Sequence, residues 1–226
     1  MSIFDATLNP LEESRFLKRT KELAIELEKV THFSFVEIQQ LLILYYKLQK
    51  KTTSKYSPDS KDGELSKDQF AEVMHNCFQM TDSKMTTNII TAMGKKSRSR
   101  FISMELWITT LSLFLRGTLE EQIHFCFSVY DITNSGILTK DVLFRFLRHS
   151  LFSVSGEGDA EESVKDLLDI IIKKMDLDRD NKISFNDYRE YVLKNPKWLE
   201  FLGQCLPDRP SAYAFQYTFM PNLPNY

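Results

Sequence analysis

Glycine and proline are scarce in this chain, seven of each in 226 residues, too few for the many tight turns of a β-sandwich or barrel. The three cysteines, Cys77, Cys126 and Cys205, are odd in number and widely spaced. That excludes a disulfide framework and leads us to expect a reducing compartment, the cytoplasm. No apolar stretch is long enough to span a bilayer, since Leu106 to Leu115 stops at Arg116. No apolar leader opens the sequence, and serine rather than glycine follows Met1, which argues against a myristoyl switch. His32, His75, His124 and His149 are scattered, with no nucleophile motif, paired acid or phosphate loop beside them, so the chain is not expected to be an enzyme. His75 and Cys77 share a predicted helix without companions at ligand spacing and read as ordinary helix residues. Strong charge of one sign is also missing: a formal net charge of -2 does not suit a nucleic-acid binder. That charge is unevenly placed. Through Arg116 the chain has 17 Lys and Arg against 14 Asp and Glu, and beyond it 12 against 17.

What is present is a hydrophobic fraction of 42% with seventeen phenylalanines, enough for one or two aromatic helical cores. One acidic stretch stands out, DLDRDNKISFND from Asp176 to Asp187, preceded by the apolar helical run Leu167 to Met175. Asp176, Asp178 and Asp180 occupy positions 1, 3 and 5 of a twelve-residue EF-hand loop, where alternate side chains converge on one cation. Lys182 at position 7 would offer its carbonyl, and Ser184 at position 9 would act through a water. Position 6 is Asn181 instead of glycine, a residue that tolerates the left-handed conformation. Position 12 is Asp187, one methylene shorter than the usual glutamate, which should weaken Ca2+ relative to six-coordinate Mg2+. The expected cofactor is thus one Ca2+, with Mg2+ as an alternative occupant.

Three other helix-loop-helix units follow the same plan without the ligands. Loop positions 1 at Lys95, Asp131 and Asp176 mark repeats, and a lengthened unit around Lys50 to Ser66 makes four. The loop from Lys95 has no acid before Glu105; Lys95, Lys96, Arg98 and Arg100 make it either a patch for an acidic partner or a solvated loop. The loop from Asp131 keeps Asp131 and Gly136, but Thr133, Ser135 and Val142 replace ligands, so it is expected to be metal-free or very weak. Leu65, Ile102, Leu138 and Ile183 hold the apolar position that bridges paired loops. Thr118 and Glu121 form a capping box at the start of the third unit.

The predicted fold is all-α: two lobes of paired EF-hands with short two-stranded bridges, an N-terminal helix and an extended C-terminal tail. The expected boundaries are an amphipathic helix within 1–32, an N-terminal lobe over 33–116, a C-terminal lobe over 117–205, and a Pro/aromatic tail over 206–226. Tyr213, Phe215, Tyr217 and Phe219 alternate along that tail, which fits either an extended segment in a groove or a tail folded onto its own lobe. The segment VSGEGDAEES after residue 153 reads as a mobile acidic insertion.

FQMTD at 78–82, LSLFLRGTLEEQ at 111–122, KKMDLDRDNKISFNDY at 173–188 and CLPD at 205–208 resemble the calaxin family, ciliary EF-hand calcium sensors similar to neuronal calcium sensors. The resemblance covers about residues 33–208, and LSLFLRGTLEEQ is its most specific part. It implies a place in the cilium or flagellum axoneme, within the cytoskeleton, with outer dynein arms or their docking complex as partners. The family has three loops able to bind calcium. With the acids of the 95–106 loop gone and one ligand side chain left in the 131–142 loop, this chain reads as a diverged relative with a mainly structural role. The alternative is a soluble calcium-sensor regulatory protein that binds a target helix of an enzyme or channel.

Overall fold

The computed structural model describes Phe4 and residues 8–53, 65–94, 101–152 and 160–220. Eleven α-helices and four two-residue strands occur among them. The loop cations at 95–100 and residues 154–159 of the acidic segment lie outside the described residues, while the AEES end of that segment, expected to be mobile, opens the helix Ala160–Met175.

The chain forms two compact units, one drawn from Met1–Thr86, Met93–Gly117 and Pro207–Tyr226, the other from Thr87–Ala92 and Thr118–Leu206. In the first unit, α3 (Phe35–Thr53), α4 (Lys67–Phe78) and α6 (Met104–Arg116) bring their apolar faces together. Trp107 is fully buried, its Nε1 donating to the Leu41 carbonyl at 2.9 Å and its ring set edgewise on Tyr45 and Phe70. Strands β1 (Leu65–Ser66) and β2 (Phe101–Ile102) pair antiparallel with Leu65 opposite Ile102. The Tyr45 hydroxyl ties the two strands, accepting from the Leu65 amide at 3.0 Å and donating to the Ile102 carbonyl at 2.8 Å. The bridge thereby has a side-chain clasp that needs no cation.

The amphipathic helix expected within 1–32 is two helices, α1 (Pro10–Arg19) and α2 (Lys21–Glu28). The break falls at Thr20, whose hydroxyl donates to the Phe16 carbonyl at 3.0 Å, a competing bond that bends helices. Both helices pack on α3, and Phe16 stacks on Tyr46. Helix α5 (Ser83–Met93) begins where the Asp82 carboxylate accepts from the Lys84 and Met85 amides.

The expected extended tail is instead helix α11 (Arg209–Phe219). Asp208 caps it by accepting from the Ser211 amide at 2.8 Å, and Pro210 suits the first turn. Phe215 and Phe219 lie four residues apart, as do Tyr213 and Tyr217, so an alternation that reads as period two resolves into two helical faces. Phe215 is buried against Phe78 and Phe4, Phe219 meets Phe4, and the two tyrosines stack in solvent. The helix packs on α4 and α6 of the first unit.

In the second unit, α7 (Leu119–Tyr130) starts with the Thr118–Glu121 capping box and is followed by β3 (Ile137–Leu138) and α8 (Lys140–Phe152). Helix α9 (Ala160–Met175) leads into the acidic loop, and β4 (Ile183–Ser184) and α10 (Phe185–Lys194) leave it. Leu138 stands opposite Ile183 in the strand pair. The residues after α10 close this core: Tyr130 donates to the Gly203 carbonyl and Tyr188 to that of Leu199, while Phe201 packs on both rings. A single 3-10 turn, Pro196–Trp198, leads into that segment. No helix among the described residues is long and apolar enough to cross a membrane.

Candidate metal centre

Helix α9 delivers Asp176 to its C-terminal end, where the Asp176 amide still donates to the Ile172 carbonyl at 2.9 Å. The chain then turns sharply through two left-handed residues, Arg179 and Asn181, each with φ 64. Asn181 thus takes at position 6 the conformation for which glycine is usual. Backbone amides hold the acids in place: Asp176 accepts from Asp180 and Asn181, Asp178 from Asp180, and Asp180 from Lys182. The carboxylate oxygens of Asp176, Asp178 and Asp180 converge within 4.8 Å of one another. Among the described residues this is the one group of three or more acidic, histidine or cysteine side chains so placed.

The electrostatics of that ring are those of a site that gains from a cation. The Asp180 amide favours ionised Asp178, but slight burial, repulsion from Asp180 and Asp187 and a hydrogen bond shared with Asp176 outweigh it, raising the Asp178 carboxyl above its ordinary value. A divalent ion removes that repulsion. Three convergent hard oxygens fit Ca2+ or Mg2+ in kind.

Asp187 is not part of the converging group. It is buried, with Oδ2 taking the Ser184 amide at 2.9 Å and the Ser184 hydroxyl at 2.5 Å, and Oδ1 taking the Leu177 amide at 3.3 Å. The Ser184 hydroxyl also accepts from the Asp187 amide, so Ser184 and Asp187 form the capping box that starts α10. Of the six residues singled out by spacing, then, three form the ring, two hold one another at the helix start, and Lys182 bonds Asp180 through its amide.

The loop from Asp131 folds around its own acid. Asn134 and Gly136 are left-handed, with φ 56 and φ 76. Burial pushes the Asp131 carboxyl up, but bonds from the Gly136 and Ser135 amides and the Thr133 and Ser135 hydroxyls prevail and hold it below its ordinary value. Thr133 and Ser135 therefore point donors inward where positions 3 and 5 would offer acceptors. That role was readable from their hydroxyl chemistry at ligand spacing. The Tyr45 clasp was not, because it depends on which helix packs behind the strands.

The other polar candidates join no such cluster among the described residues. His75 is exposed on α4, and burial pushes the half-buried Cys77 thiol up to about 11. His124 stacks on Phe185 near Glu120.

An EF-hand domain pair model matches residues 120–193, which hold both loops just described. Calaxin of Xenopus laevis is 37% identical over 187 residues, covering 83% of this chain and 88% of its own. The chain belongs to the calaxin family. Calaxin of Homo sapiens is 35% identical over 200 residues, 88% of this chain and 92% of its own. A recoverin family protein of Dictyostelium discoideum is 23% identical over 215 residues, 87% of this chain and 92% of its own. Calaxin kinship and the EF-hand pair place this chain among the EF-hand proteins, for which calcium binding is indicated.

Proposed function

We propose that this calaxin-family chain is a component of the cilium or flagellum axoneme, carried by outer dynein arms or their docking complex, with one divalent site and a mainly structural role. The observation that carries the reading is the contrast between pairing and ligation. Both strand bridges are intact, while only the loop from Asp176 brings carboxylates together among the described residues. A fold that keeps its packing positions and loses ligands is suited to constant docking more than to a calcium-driven opening. Self-packing supports the same view: Phe215 covers Phe78 in the first unit, and Phe201 covers Tyr130 and Tyr188 in the second. In the proposed site Asp176, Asp178 and Asp180 bind the ion, the Lys182 carbonyl and a water at Ser184 complete the sphere, and Asp187 closes it or leaves it to Mg2+.

Two measurements test this. Tagged protein in motile ciliated cells should localise to axonemes and co-purify with dynein-arm proteins; a cytosolic or nuclear location would overturn the assignment. Calorimetry with calcium, with and without millimolar magnesium, should find one site that magnesium fills or weakens. A signalling-range calcium site indifferent to magnesium would return the sensor role to the chain.

A further inference from the structure

Cys126 and Cys205 meet in the core of the second unit. Cys126 lies on α7, one turn before Tyr130, and Cys205 lies in the segment that joins α10 to α11. Both side chains are fully buried, and the two thiols are hydrogen-bonded to one another although most of the second unit's chain runs between them. Further bonds fix the meeting point. The Cys205 sulfur lies 3.4 Å from the Gly203 carbonyl, which the Tyr130 hydroxyl also reaches at 2.9 Å. The Glu200 carboxylate accepts from the Cys205 and Leu206 amides at 2.7 and 2.8 Å. Neither helix nor strand occurs over residues 199–208, so Cys205 is placed by these point contacts and by Phe201 on the Tyr130 and Tyr188 rings. Gly203, with φ 126, makes a bend that side-chain-bearing residues rarely take. The third thiol, Cys77, is on α4 in the first unit.

We propose that Cys126 and Cys205 form a modification site for peroxide: a dithiol at rest that hydrogen peroxide converts to a disulfide, pinning the 199–206 segment to α7. One thiolate attacks a peroxide oxygen, and the O–O bond breaks to leave a sulfenic acid and a hydroxide that takes up the proton the thiol shed. The facing thiol then bonds to the sulfenic sulfur and expels its hydroxyl, which leaves as water with that second thiol's proton. Two thiols and one peroxide thus give one disulfide and two waters, with two electrons passing from sulfur to oxygen. Contact between the sulfurs decides the product. The resolving thiol is already in place, so the sulfenic acid closes to a disulfide before a second peroxide carries it to a sulfinic acid. Burial decides the tempo. With the bond to Cys205 it holds the Cys126 thiol well above its ordinary value, so oxidation waits on sustained peroxide or on opening of the 199–206 segment. The same burial then shields the disulfide from thiolate reductants, so the mark is slow to erase once made. It is the same wherever in the cell the protein works.

The test exposes the native full chain to millimolar hydrogen peroxide, blocks the remaining thiols with N-ethylmaleimide during denaturation, and maps the unreduced digest by mass spectrometry. A parallel sample is oxidised in urea. The native chain should yield a monomer with one peptide pair joining Cys126 to Cys205, lighter than the separate peptides by two hydrogens, without Cys77, and cleaved by dithiothreitol in urea. The Cys77→Ser chain should give the same product, and oxidation in urea should lose that selectivity. Because the bond closes a long loop of the unfolded chain, the cross-linked protein should melt at least about 5 °C higher than the dithiol form. These readings need no substitution at either buried cysteine, so a variant that fails to fold cannot obscure them. Four results would each overturn the proposal: a native chain left as thiols by peroxide that oxidises the chain in urea, sulfinic acid at Cys126 or Cys205 in place of the disulfide, bonds to Cys77 in equal or greater yield, or a cross-link that lowers Tm.

Discussion

The Arg116 guanidinium grips the Glu37 carboxylate with two nitrogens, Nη1 at 3.1 Å from Oε2 and Nη2 at 2.5 Å from Oε1. The same side chain donates to the His32 carbonyl and to the Gln216 side chain and lies over the Phe33 ring. One residue at the end of α6 thereby fixes the start of α3 and the tail helix. Replacing Arg116 with alanine should cost about 2–3 kcal/mol, because it removes a bidentate ionic bond and leaves partly buried acceptors unpaired. Urea unfolding with a shared slope checks it, and a loss under about 0.5 kcal/mol would show the network to be ornamental.

The same pair sets an acid limit. Burial pushes the Glu37 carboxyl up, but the bonds from Arg116 and Ser34 more than offset it and leave the group below its ordinary value. A lowered folded value means that the stabilisation is present above the unfolded carboxylate range, near pH 4.3, and is lost as pH falls through the folded value. Thermal melts between about pH 5 and 2.5 should therefore fall more steeply for the native chain than for Glu37→Gln.

Asp187→Glu should raise calcium affinity at least about tenfold. Glutamate preserves the capping box with Ser184, since Ser-x-x-Glu is its usual form, while the added methylene lets the carboxylate reach the ring formed by Asp176, Asp178 and Asp180. Asp176→Ala should abolish cation heat altogether. Calorimetry on both variants reads the result, and an unchanged affinity in Asp187→Glu would mean that ring geometry, not the closing ligand, limits binding.

Phe215→Ala should lower stability by about 3–5 kcal/mol, roughly 10 °C in Tm, since the ring is buried against Phe78 and Phe4. Differential scanning calorimetry checks it. Tyr217→Ala, on the solvent face of the same helix, should change Tm by no more than about 2 °C.

Thiol chemistry should be slow in the folded state. Burial pushes the Cys77 thiol up to about 11 and, with hydrogen bonding to Cys205, carries the Cys126 thiol well above its ordinary value. A disulfide reagent at neutral pH should label all three cysteines only after unfolding, and rapid native labelling of Cys126 would show that its core opens.

The parts of this fold that could be read from sequence are those set by neighbours in the chain. Leu65 opposite Ile102 and Leu138 opposite Ile183 follow from loop position, and the Thr118–Glu121 box from local hydrogen-bond chemistry. The Ser184–Asp187 box follows from the same rule, at an acid that loop spacing also assigns to the ion. The tail helix was hidden because residues four apart are also an even number apart, so Phe215 and Phe219 fit a strand face and a helix face equally. The Tyr45 clasp depends on packing that no local pattern carries, whereas the Thr20 break rests on a local bond to the Phe16 carbonyl.

The membership of α11 in the first unit has a consequence for synthesis. The bond between Arg116 and Gln216 spans 100 residues, and the whole run from Thr118 to Leu206 belongs to the other unit. At about 5–20 residues per second, a ribosome makes the ring that covers Phe78 some 5–20 s after it finishes α6. The lobe that is translated first is completed last, and through that interval its apolar seat for Phe215 is open to whatever chaperone or partner meets the nascent chain.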